Sequence, residues 1–336
     1  MPNDLSSSLK FWDAEVVQRR HSDWMALPGV RGYLNTMIGG TVHDWPFNWF
    51  VKYLNGRRLP HALSIGCGTG ALERDLIRRG ICDRVDAFDG STVSLAKART
   101  DAIAEGYGDA IHYFAADFNE PVLPRGTYDA VFFHHSLHHV AKLEKLLRAV
   151  LLALKPDGLL YLDEYIGPSR TWWTDDRFRH ERAVFDELVP PDIRFVPDLP
   201  LPIVYEDPSE GVRSGEILEQ VAVGFDIREL RGYGGNLLSL ICPAIVWDRA
   251  PEDLLGRLIA EETALLQNGA PPFLAIVVAT PKSGVAKAVA STRYFTEPKL
   301  KRVLREAARI MAPGPRHDRR PLPDDTAQRD SRARQR

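Results

Sequence analysis

Three features of this 336-residue chain combine residue types and spacing that can do chemistry. The first is His61-Ala-Leu-Ser-Ile-Gly-Cys-Gly-Thr-Gly-Ala-Leu-Glu73, where a short apolar run enters Gly66, Cys67, Gly68 and Gly70 and a helix-compatible run follows. Glycine in such a bend lets the backbone turn sharply and approach a ligand with no Cβ in the way, while amides at a helix start face the crevice. The spacing is Gly-x-Gly-x-Gly, not the Gly-x-Gly-x-x-Gly that closes a helix on pyrophosphate, so a dinucleotide is not the favoured guest. The second feature is a pair of acids where the next two apolar runs end. Asp89, followed by Gly90 and Ser91, can accept from both hydroxyls of a ribose. Asp117 can accept from an exocyclic amine while Phe118 covers the face of a base. The third feature is Phe133-His-His-Ser-Leu-His-His-Val140, with Asp163 and Glu164 closing the run after it. An imidazole with a pKa of about 6.5 suits a general base at neutral pH. His138 and Glu164 are the candidates for removing a proton from an acceptor. Successive strand residues point to opposite faces, so only one of Asp163 and Glu164 is expected to face a pocket, with turn capping or pairing to Arg170 as the alternative. No metal is expected at the histidines, because neither a paired Cys nor a carboxylate stands at ligand spacing.

These residues need a frame to position them, and the alternation from His61 onward supplies it. Short apolar runs at 62–66, 84–89, 110–115, 129–133 and 159–166 alternate with amphipathic stretches, which predicts a doubly wound α/β fold with a parallel sheet. The helix after the fourth strand is expected to start near His139, repeat through Val140, Leu143, Leu147, Val150, Leu151 and Leu154, and stop at Pro156 and Gly158. Two further strands, 224–230 and 274–280, flank a helix between Pro251 and Gly269 and can pair at the sheet edge, for a seven-stranded, mostly parallel, Rossmann-like sheet.

At this point the residues resemble a family. Ile65-Gly-Cys-Gly-Thr-Gly70, Asp89, Ala116-Asp117-Phe118, the Tyr128–Phe133 strand and Leu154-Lys-Pro-Asp-Gly-Leu159 look like the successive motifs of class I S-adenosylmethionine-dependent methyltransferases. The resemblance covers roughly residues 60–166 and implies S-adenosyl-L-methionine as cofactor. It places Gly66 to Gly70 at the methionine end, Asp89 with Gly90 and Ser91 at the ribose, Asp117 and Phe118 at the adenine, and His134 beside the cofactor. Ser64 stands where the family often has an acid, and His138 where many members have a glutamate. The Leu137–Val140 and Asp163–Pro168 steps are similar to a bacterial subgroup associated with polysaccharide or secondary-metabolite modification. The activity this implies is in-line methyl transfer to a small molecule or sugar, directed at oxygen; a catalytically silent cofactor-binding or scaffold protein is the alternative.

The matching region sets the domain reading: a helical N-terminal cap segment at 1–60, a cofactor-binding core at 61–167, a helical insertion or lid at 168–222, the rest of the sheet and helices at 223–311, and a tail at 312–336. The tail holds seven Arg and four Asp and almost nothing apolar, which predicts disorder. The full chain balances 43 basic against 45 acidic residues, a net charge of −2, so no nucleic-acid partner is expected. A hydrophobic share of 44% is enough to bury a core. Three scattered cysteines and the lack of a signal pattern or long apolar run lead to the expectation of a cytoplasmic protein that spans no membrane. Spacing says nothing about oligomeric state.

Overall fold

The computed structural model describes residues 5–18 and 24–284. Residues 285–311 of the C-terminal segment and the tail expected to be disordered at 312–336 lie outside the described residues. The elements run α1 (Leu5–Gln18), α2 (Pro28–Gly39), α3 (Pro46–Leu54), β1 (His61–Ile65), α4 (Ala71–Arg78), β2 (Arg84–Asp89), α5 (Thr92–Ala104) and β3 (Ile111–Ala115). They continue as β4 (Tyr128–His134), α6 (Leu143–Ala153), β5 (Leu154–Tyr165), α7 (Arg179–Leu188), α8 (Ile217–Gly224), β6 (Phe225–Gly232), α9 (Leu238–Ile241), α10 (Leu254–Gln267) and β7 (Leu274–Pro281).

The seven strands form one sheet in the order β3-β2-β1-β4-β5-β7-β6. β1 to β5 pair in parallel, and β7 is antiparallel to both of its neighbours. Strand order reverses between β1 and β4, so their carboxyl ends open the crevice where doubly wound sheets hold ligands. Buried residues on both faces explain the near-continuous apolar runs of the central strands. On one face Phe50 of α3 packs on Phe132 and Tyr161. On the other, Leu143, Leu147 and Val150 of α6 join Leu63, Phe133 and Leu162.

Two expectations need correcting. The helix after β4 starts at Leu143, not near His139; Leu137–His139 form a separate 3-10 turn, because Glu164 ties down the amides of Ser136 and Leu137. The strand expected at 159–166 begins at Leu154: the helix gives out at Ala153, and Pro156 and Gly158 sit within the irregular first part of β5, where the pairing with β4 shifts register. The two late strands do pair at the sheet edge, with β6 outermost and β7 between it and β5, which explains the fully buried Leu274–Ala279 run of β7. The edge strand β6 carries Arg228, Glu229 and Arg231, side chains that discourage pairing with another chain.

The segments flanking the core divide their roles. α2 and α3 pack as a layer, whereas α1 brings Ser8, Leu9 and Trp12 to the cavity at the strand ends. In 168–222, Trp173, Phe178 and Phe185 are buried in the core and Trp172 is exposed, while the stretch around Ser209 reaches the cavity.

Candidate active site

The cavity has a volume of about 650 Å³, within the range of roughly 300–1,000 Å³ common for small-molecule sites. Its floor is the glycine loop. Gly66, Gly68 and Gly70 have φ of +73°, +51° and +78°, which β-carbons disfavour. Space adds to that preference at two of the three. A Cβ on Gly66 would lie 2.3 Å from Ser136 Cβ, and one on Gly70 would lie 2.3 Å from the Tyr113 hydroxyl oxygen. At Gly68 a Cβ would meet nothing within 4 Å, because that residue faces the cavity.

Asp89 braces this loop as well as lining the cavity. Gly68 N donates to its Oδ2 at 2.9 Å and Ser91 N to its Oδ1 at 2.8 Å. Burial raises the Asp89 pKa, and the amides of Ser91, Gly68 and Gly90 work against that rise. Ser91 caps α5 by accepting from Ser94 N and donates to Asp13 of α1, which ties that helix to the start of α5 beside the cavity. Beyond β3, Asp117 Oδ1 accepts from Asn119 N at 2.8 Å. The Phe118 ring leans on Phe88 at 5.8 Å. Asn119 Oδ1 in turn accepts from Ala141 N and Lys142 N, which couples this turn to the one after the histidines.

The histidine run is wound tightly. His134 Nε2 lies 3.5 Å from Asp163 Oδ2 and His135 Nε2 lies 3.8 Å from Asp163 Oδ1. His135 takes φ +53°, an unusual conformation for a residue with a β-carbon, and its amide donates to Asp163 O at 2.8 Å. The Tyr233 hydroxyl donates to Asp163 Oδ1. Burial alone would raise the Asp163 pKa, but the hydrogen bond from His134, the charges of His135 and His134, and Tyr233 lower it to about 2.

Glu164 is fully buried. Its Oε1 accepts from Ser136 N and Leu137 N, both at 2.6 Å, and its Oε2 lies 2.8 Å from His138 Nδ1. An ionised carboxylate only accepts, so His138 Nδ1 carries the proton of that bond. Burial opposes charge on His138, but Glu210 and Glu164 outweigh it, with Asp207 adding to them, and raise its pKa to about 9. Next to it, His139 Nδ1 lies 3.1 Å from Ser209 Oγ, and the Trp12 ring meets the His139 ring edge-on at 5.3 Å. Burial, then the charge of His138, lowers the His139 pKa.

Of the residues singled out from sequence, Gly66, Cys67, Gly68, Asp89, Gly90 and Ser91 line the cavity. Asp117, Phe118 and His134 line it too. Gly70 is buried against Tyr113, and neither His138 nor Glu164 is on the cavity wall. Burial also takes Asp163 off that wall, and Arg170 donates to the carbonyls of Val204 and Asp207, not to either carboxylate. Sequence reasoning put Trp12 in a cap segment over the strand ends and missed His139 and Ser209 on the wall. It also missed Glu73, which lies in the first turn of α4, fully buried, with no Lys or Arg ion pair among the described residues. Burial raises the Glu73 pKa against the pull of its neighbour Ser64.

Comparison with known proteins adds a family to this geometry. The family model described as a methyltransferase domain matches residues 63–162. Sterol 24-C-methyltransferase of Eremothecium gossypii is 25% identical over 203 residues, covering 53% of this chain and 53% of that protein. The ubiquinone/menaquinone biosynthesis C-methyltransferase UbiE of Pseudomonas aeruginosa is 26% identical over 137 residues, covering 40% of this chain and 54% of that protein. The chain thus spans about half the length of these curated relatives. Among solved structures, geranyl diphosphate C-methyltransferase from Streptomyces coelicolor is 15% identical with a TM-score of 0.48, covering 84% of this chain and 99% of that one. With the glycine loop, the strand-end acids and the histidine turn all set on one sheet, the chain carries a class I S-adenosyl-L-methionine-dependent methyltransferase domain over residues 63–162.

Proposed function

We propose that this protein methylates a small molecule, or a sugar, at a hydroxyl oxygen. The observation that carries the reading is a single cavity that joins the glycine loop and the two strand-end acids to a wall of imidazoles. The chain's residues fit the cofactor on two counts. The loop has room at Gly68 for a ligand and none at Gly66 or Gly70 for a side chain. Glu73 beneath it is a fully buried carboxylate with Ser64 as its hydrogen-bonding neighbour and no Lys or Arg ion pair among the described residues. Such a group is costly unless a cation meets it, and the α-ammonium of the cofactor is a cation. We assign Glu73 this contact, in place of the acid that Ser64 lacks. Asp89 would hold the ribose hydroxyls, and Asp117 with Phe118 the adenine.

When bound, S-adenosyl-L-methionine supplies a methyl group on a positively charged sulfur. The task left to the protein is to hold the acceptor oxygen in line and keep water away. Trp12 and Leu9 on α1 and Ser209 on the opposite loop close over the cavity and serve that exclusion. The acceptor proton goes to the histidine turn. His134, His135 and His139 offer imidazoles on the cavity wall, so a proton acceptor does not depend on His139; His138 lies behind them, and Glu164 orients the turn by fixing the Ser136 and Leu137 amides and His138 Nδ1. Glu164 is therefore a positioning residue in this reading. The test is incubation of the purified chain with methyl-labelled cofactor and fractionated extract of its native cells. Label that enters a small product and leaves it under conditions that cleave methyl esters or ethers supports the reading. Cofactor binding without label transfer to any fraction favours a silent binding protein.

A further inference from the structure

The histidine turn carries a second arrangement that methyl transfer does not require. His138 Nδ1–H donates to Glu164 Oε2, so Nε2 is the ring atom left to face outward, as a ligand once its own proton is displaced. Ser209 Oγ donates to Asp207 Oδ1 at 2.6 Å, so that hydroxyl accepts from His139 Nδ1–H, and the lone pair of His139 sits on Nε2. Both Nε2 atoms point at one carboxylate from a distant segment. His138 Nε2 lies 3.8 Å from Glu210 Oε1 and His139 Nε2 lies 3.7 Å from Glu210 Oε2. These separations exceed hydrogen-bond range. All three ligand atoms nonetheless lie within 4.8 Å of one another. The Glu210 charge is balanced by a cation at this point, either the second proton of His138 or a metal ion that displaces it. Among the described residues Glu210 has no Lys or Arg ion-pair partner.

We infer that His138, His139 and Glu210 form a binding site for a first-row divalent cation of the zinc class. Two imidazoles and one carboxylate are a familiar donor set for such ions, with bonds of roughly 2.0–2.2 Å, and atoms 3.7–3.8 Å apart can both reach an ion at that length. The support behind the ligands is already built. Glu164 backs His138, and Ser209 with Asp207 backs His139, as outer carboxylates and hydroxyls do in metal sites by fixing the tautomer and raising the basicity of the ring. Trp12 Nε1 donates to Asp207 Oδ2 at 2.9 Å, and this ties α1 to the same outer shell. Three protein ligands leave a coordination position open, and His139 sets the ion at the cavity wall. Glu210 stands far from the histidines in sequence, so the expectation that no carboxylate is available as a ligand fails through folding alone. A second grouping, His134, His135 and Asp163, is weaker, because the Tyr233 hydroxyl already occupies Asp163 Oδ1.

Zinc titration of the chelator-treated full chain by calorimetry tests this, and it reads the ion alone, with no cofactor or acceptor present. The expected result is one zinc per chain, a higher unfolding temperature with zinc, and affinity weakened at least tenfold in both Glu210→Gln and His139→Gln. Asp163→Asn should bind zinc as the parent does. Absence of zinc binding, equal binding by the parent and both ligand variants, or loss confined to Asp163→Asn would each overturn the assignment. Should Glu210→Gln fail to fold, His139→Gln and Glu164→Gln give the same reading, with Glu164→Gln expected to weaken zinc roughly tenfold through its hold on His138.

Discussion

The glycine loop makes two kinds of demand on its backbone, and they can be separated. Gly66→Ala places a β-carbon 2.3 Å from Ser136 Cβ and 2.9 Å from Ser136 Oγ, at φ +73°. The left-handed conformation costs a residue with a β-carbon about 1–2 kcal/mol, and overpacking of this kind adds about 1–3 kcal/mol, for roughly 2–5 kcal/mol of lost stability. The clash also displaces Ser136, whose Oγ donates to Ile65 O at 2.6 Å and whose amide is held by Glu164. Gly68→Ala keeps only the conformational part, about 1–2 kcal/mol, because its Cβ would meet nothing within 4 Å. That Cβ projects into the cavity, so in the proposed reading the cost moves from folding to cofactor binding. An overlap of about 1–3 kcal/mol there corresponds to roughly a 5- to 150-fold loss of affinity. Urea unfolding of both variants, with calorimetric titration of S-adenosylhomocysteine, checks the division. Gly66→Ala should unfold at clearly lower urea than Gly68→Ala, and Gly68→Ala should lose the nucleoside while staying folded. Parental stability in Gly66→Ala, or parental affinity in Gly68→Ala, refutes the reasoning.

Two further outcomes are expected. Glu73→Gln should leave stability unchanged or slightly raised and should weaken S-adenosylhomocysteine at least tenfold, since one charge-assisted contact is worth about 1.5–3 kcal/mol. Binding of 5′-methylthioadenosine, which lacks the ammonium, should not change, and equal losses for both ligands would remove Glu73 from the ammonium site. Asp163 has a folded pKa of about 2 against an ordinary value of 3.8. It therefore contributes stability that is complete above about pH 4 and disappears as pH falls toward 2, a matter of roughly 2 kcal/mol. Unfolding curves of the parent and Asp163→Asn should differ at pH 6 and converge near pH 2, and a gap that persists at pH 2 would count against this.

The legible part of the site was the part written locally. Glycine spacing and the acids ending successive strands depend only on where each strand stops, and a doubly wound sheet brings those stops together. Burial was harder to read. Nothing in Asp163-Glu164 says that Glu164 turns inward to hold two amides, and Glu73 looks like one more polar residue of a helix until Ser64 opposite it is noticed. Contacts between remote segments were invisible: Trp12, Ser209 and Glu210 meet the histidine turn only because α1 and the stretch around 207–210 fold over the same strand ends. Which of β6 and β7 lies outermost was hidden for a similar reason, since an apolar run reads the same at an interior or an edge position until the partners are known.

A nucleoside held between Asp89 and Asp117 over the glycine loop is the centre of the proposed site. Calorimetric titration of S-adenosylhomocysteine into the full chain and into the Asp89→Asn/Asp117→Asn double variant addresses it directly. One ligand per parental chain, with affinity at least a hundredfold weaker in the double variant, is the predicted result, from two contacts of about 1.5–3 kcal/mol each. No binding to the parent, or the same affinity in both proteins, would contradict it.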